Sequence, residues 1–168
     1  MRIKKAAAVF MCLVTALSFF GCSYVNNVVD NYKRTPRVIE KPEAEQIFEY
    51  LKDEDIDSLC ELFSPEVSKT HDIKSEWKYF FSHLDGDLVS YKKISYPNEG
   101  LGVDKDGEVY DSHVSVNYKN AKTDTGKVYS EFGYYRVQVS RDNPDSVGIT
   151  TFTMLDPDTG KWITVGER

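Results

Sequence analysis

The stretch WKYFFSHLDGDLVSY, residues 77–91, is where the periodicity of the chain changes. Trp77, Phe80, Phe81 and Leu84, together with Ile73, make a wide apolar stripe at helical spacing. Asp72 stands ahead of that stripe as a cap, and Gly86 follows it as a stop signal. From Leu88 onward apolar and polar residues alternate, the period of a half-buried strand. Helices followed by a run of strands specify an α+β domain with an antiparallel sheet.

Upstream of this switch, Pro42 suits the first turn of a helix. Glu43 and Glu45 sit in that turn, where the helix dipole favours negative charge. Ala44, Ile47, Phe48 and Leu51 then recur at i, i+3, i+4 and i+7. KDEDID breaks the pattern, which resumes at Ile56, Leu59, Cys60 and Phe63 on a rotated stripe with Asp53 or Asp55 as its cap. Ser64 and Pro65 end it. Downstream, the alternation predicts about five strands: Leu88–Tyr96, Val109–Tyr118, Lys127–Ser140, Val147–Leu155 and Lys161–Gly166. The second puts Tyr110, Val114, Val116 and Tyr118 on one face, and Asp111, His113, Ser115 and Asn117 on the other. The third puts Tyr129, Tyr135, Val137 and Val139 on one face, with Gly133 among them marking a bend or bulge.

The N-terminus has a different character. Arg2, Lys4 and Lys5 precede an apolar run from Ala6 to Phe20, then Gly21 and Cys22. A basic start, a short apolar core and a small residue make the layout of a secretory signal peptide. The run is shorter than the roughly 20 residues a helix needs to cross a bilayer. Ser18 to Cys22 resembles the lipobox of bacterial lipoproteins, departing from it at Phe19, where an aliphatic residue is usual. That resemblance implies cleavage before Cys22 and lipid attachment to its thiol, giving a membrane partner and an extracytoplasmic address at the cell membrane. The expected organisation is a signal peptide over 1–21, a flexible tether over 22–41 and one domain over 42–168.

The full chain carries a net charge of −6, and the leader would take three basic residues and no acid with it. Such a surface repels nucleic acid, and no basic patch with interleaved aromatics offsets it. With Cys12 in the leader and Cys22 on lipid, Cys60 is the thiol left to the domain. It falls on an apolar helical stripe, the place of a buried small hydrophobe rather than a nucleophile.

Three segments carry a wider resemblance: LKDEDIDSLCELFS (residues 51–64), WKYFFSHLDG (77–86) and FGYYRVQVS (132–140). With the N-terminal helices and the meander, they resemble the nuclear transport factor two-like superfamily. That implies a strongly curved sheet wrapped round a long helix into a cone, often with a pocket. The same segments resemble an exported lipoprotein family known as domain of unknown function 5104. The superfamily includes isomerases, dehydratases and plain binding domains, so the fold does not fix a function.

Candidate chemistry is sparse. Asp111 and His113 lie two apart on a strand and point to one face, the arrangement of a general base with its orienting partner. Glu131 shares parity with Tyr129 and Tyr135, which would turn a carboxylate inward among aromatics. His71 falls in a loop and His83 near a helix end. Asp104 to Glu108 and Asp156 to Gly160 place acids beside glycine, but turn chemistry accounts for both, and no metal or other cofactor is expected. Trp77, Phe81, Tyr118 and Tyr135 would line a ligand cup, or else fill the core. The expected function is a non-enzymatic lipoprotein domain that binds a small ligand or an envelope protein. The alternatives are an isomerase or dehydratase using Glu131 or Asp111 with His113, and a structural or immunity-type protein.

Overall fold

Helix α1 runs Pro36–Lys52 in a computed structural model that describes residues 34–167. The expected signal peptide, Cys22 and the start of the tether lie outside the described residues. Pro36, rather than Pro42, opens the helix, so the boundary expected at residue 42 falls within α1. Pro42 is carried inside, and the added turn is held because Pro36 and Glu40 are buried. The left-handed Glu54 (φ 49°) turns the chain into α2, Ile56–Glu61, capped by Asp55 on the Ser58 N–H at 3.1 Å. α2 ends at Glu61, ahead of the stop expected at Ser64 and Pro65; these two instead open α3, Pro65–Thr70, with Ser64 accepting from Val67 N–H. Asp72 caps α4, Ile73–Phe81. Hydroxyls donated by Ser58 and Ser75 hold the Asp55 and Asp72 carboxyls below the usual range.

Nine strands follow among the described residues: β1 Leu88–Ser90, β2 Lys93–Ser95, β3 Glu99–Val103, β4 Val109–Lys119, β5 Ala121–Thr123, β6 Val128–Tyr129, β7 Phe132–Ser140, β8 Gly148–Leu155 and β9 Trp162–Val165. Their named pairings are antiparallel, and the sheet is open. β4, β7, β8 and β9 lie in that order, with β2 and β3 both paired along the free side of β4. A second sheet has the order β1-β5-β6.

The count exceeds the expected five because two of the expected strands are each broken, and a third is extended past a break. The breaks fall at 91–92, at Asn120 and at 130–131, so β1/β2, β5/β4 and β6/β7 keep one lateral order across them. The result is a meander creased along one line. Asn120 supplies the left-handed residue the crease needs (φ 53°). β3 was not expected because EGLGV, with two glycines, shows no apolar alternation. Gly133 sits just past the crease, where a Cβ would strike the Val116 carbonyl oxygen and the Asn117 Cα.

The helices cover one face of the large sheet. Val114, Val116 and Tyr118 of β4 meet Phe132 and Tyr134 of β7 and Phe152 and Met154 of β8 beneath Ile47, Phe48, Leu51, Trp77 and Phe80. Phe80 meets Phe132 and Phe152 edge to face at 5.7 and 5.4 Å, the favoured geometry for ring quadrupoles.

Candidate functional site

The interior is filled. Trp77 and Tyr118 are fully buried. The Trp77 ring lies 5.1 Å from Phe152 and 5.6 Å from a stacked Phe81, and the Tyr118 hydroxyl donates to the Ala44 carbonyl at 2.7 Å. Three of the four residues expected to line a cup are therefore packed in or against the core. The fourth, Tyr135, lies on the opposite face of the sheet, its ring stacked 5.7 Å from His113. The break at 130–131 causes this. Tyr129 and Phe132 both face the core, so side-chain parity reverses between β6 and β7. Tyr134 takes the inward place that alternation assigned to Tyr135.

Glu131 sits at that break and is turned outward by it. Its side chain is 42% exposed rather than enclosed among aromatics. Lys119 Nζ lies 3.1 Å from one carboxylate oxygen, and Asn117 Nδ2 donates to the other at 2.5 Å. Asn117 is only 8% exposed, and its Oδ1 has no partner among the described residues. Asn117 and Glu131 line a groove of about 190 Å³ across the helix-free face, together with Gly133, Tyr135 and Trp162.

A larger cleft, about 590 Å³, opens at the other end of the same sheet, where α3 and the 3-10 turn Pro144–Ser146 approach β7 and β8. It collects Asp111, His71, Glu66 and Glu167. Asp111 Oδ2 is 3.3 Å from His113 Nδ1, so the expected pair does meet, with Asp111 lining the cleft. His71 Nδ1 is 2.9 Å from Glu76, whose other oxygen accepts from Gly166 N–H, which ties α4 to the end of β9. Asp111–His113 and Glu131 stand at opposite ends of the outer face, on either side of Tyr135, and do not converge on one reacting centre.

The remaining chemistry is structural. Cys60 is half-buried beside the core, and burial pushes its thiol up, away from the thiolate a nucleophile needs. Asp104 accepts from Asp106 and Glu108 N–H and pairs with Arg141, which holds its carboxyl low. Asp156 accepts from Asp158 N–H and the Thr159 hydroxyl. Both are turn carboxylates spent on their own loops. Among the described residues no group of three or more His, Cys, Asp or Glu could hold a metal ion.

A buried polar cluster under α1 has no counterpart in the apolar patterning. Glu40, 1% exposed, accepts from the Tyr134 hydroxyl at 2.7 Å, from Gln138 Nε2 at 2.8 Å and from Arg136 at 3.3 Å. Arg136 also pairs with Glu43, and Ser112 donates to Gln138. Burial raises the Tyr134 and Tyr118 phenols well above their ordinary value, helped by the nearby Glu40 charge. Only the polar residues of β7 in register on one face could have signalled the cluster, and their partner lay in a segment that read as tether.

The profile of a family described as Domain of unknown function (DUF5104) matches residues 46–157, from within α1 to the turn after β8. No curated protein matches the chain.

Proposed function

Since the chain belongs to the family described as Domain of unknown function (DUF5104), which names no activity, we propose from its own residues that it is a membrane-anchored extracytoplasmic lipoprotein whose α+β domain binds a ligand or partner without chemistry. The filled interior carries this reading. A cone that worked as an acid–base enzyme would need an enclosed cavity around its carboxylate, and that space is occupied by Trp77, Phe80, Tyr118, Phe132 and Phe152. The nuclear transport factor two-like resemblance fits helices on one face of a creased sheet, with the usual pocket closed by aromatics. The basic start, the apolar run and Cys22 support the anchor. In this reading the acidic domain stands off anionic lipid. No helix among the described residues is long and apolar enough to cross a membrane.

Cys22→Ala tests the anchor. The variant should leave the membrane fraction for the soluble fraction, and membrane retention would refute it. An isomerase or dehydratase reading rests on Asp111 and His113 beside the larger cleft. It predicts that a substrate found for the cleft is turned over, and that turnover falls in His113→Gln while binding survives.

A further inference from the structure

We infer that the groove on the helix-free face of the sheet binds a neutral saccharide. Two features of its walls point there. Trp162, 57% exposed at the start of β9, offers a flat indole to solvent. Tyr135 flanks the same groove. Aromatic faces carry negative quadrupole density and attract the slightly positive C–H face of a sugar ring. Gly133 leaves the floor between them free of a side chain.

The polar groups fit the same ligand. Thr151 and Thr153 line the groove with hydroxyls that donate or accept. Sugar hydroxyls also do both, so adjacent ones can pair with the two threonines together. Charge argues for a neutral ligand. Lys119 is held by Glu131, and Glu131 by Lys119 and Asn117, so neither charge is left to recognise an ion. The groove, at about 190 Å³, lies below the roughly 300–1,000 Å³ of a drug-sized site. It holds one ring, with the rest of a chain running out past Trp162.

This inference rests on the binding reading above and sharpens it. The test is calorimetric titration of the full chain with chitotriose, maltotriose and galactose, and with a neutral tripeptide. At least one saccharide should saturate the protein. Trp162→Ala should weaken that binding by about fivefold or more without lowering the melting temperature. Trp162→Tyr, which keeps a flat face, should restore most of it. Tyr79→Ala, an exposed aromatic on α4 away from the groove, should bind as the parent does. Saturation by none of the three sugars, or equal affinity in Trp162→Ala, overturns the inference. Saturation by the tripeptide alone also overturns it, while leaving the broader binding reading in place.

Discussion

The Tyr134 hydroxyl donates to the Glu40 carboxylate at 2.7 Å, joining β7 to the first turns of α1 inside the protein. Glu40 is the acceptor for three donors, and a buried charge left with fewer of them is costly. Glu40→Ala should therefore destabilise the fold by about 2–4 kcal/mol, since it strands Tyr134 and half of the pairing of Arg136. Tyr134→Phe should cost about 1–2 kcal/mol. Urea unfolding followed by far-UV dichroism measures both, and equal small losses would make the cluster ornamental.

Alkaline pH should unfold the protein. Burial, reinforced by Glu40, pushes the Tyr96 phenol up to about 12, and Tyr118 and Tyr134 move the same way. The unfolded chain releases these protons near pH 10, while the folded chain keeps them. Between those values the unfolded state binds fewer protons, so stability falls as pH rises and is fully present below 10. Midpoints of urea unfolding measured from pH 8 to 12 should drop above 10. Tyr118→Phe should flatten that drop.

Glu131→Gln should leave stability within about 0.5 kcal/mol. An exposed ion pair such as Glu131 with Lys119 contributes little. Thermal unfolding of the variant beside the parent decides the matter. A large loss would restore Glu131 as an enclosed acid.

Gly133→Ala should be among the most damaging single methyl additions in the chain. Its Cβ would meet backbone atoms of β4, which cannot rotate away. We expect a loss above about 4 kcal/mol, or no folded product. Gly107→Ala, left-handed at φ 83° but facing open space, should cost about 1–2 kcal/mol. Dichroism and yield of the two variants side by side provide the comparison.

Much of the architecture was legible because it rests on periodicity. Asp72, Trp77 and Phe80 announced α4, and Val114, Val116 and Tyr118 announced the inward face of β4. What failed did so at the crease. Alternation carries a face assignment only while a strand is unbroken, and the break before Phe132 reversed the places of Tyr134 and Tyr135. Gly133, three residues on from Ser130, marks a bend in this strand, but no residue type there shows that the bend reverses the faces. The error moved Glu131 from the inside to the outside, and the candidate site with it. At the other end, Pro42 looked like a helix start because little apolar patterning precedes it, yet a buried Glu40 holds the earlier turn in place.

The start of α1 at Pro36 also sets a leash. A chain held to a bilayer at Cys22 could extend by no more than about 50 Å before the rigid body begins, at roughly 3.6 Å per residue. Had the domain begun at Pro42, that radius would be about 20 Å greater. If Cys22 carries the proposed anchor, the groove beside Trp162 stays within this radius plus the domain's own dimensions of the membrane surface, and its ligand must come that close or be brought there.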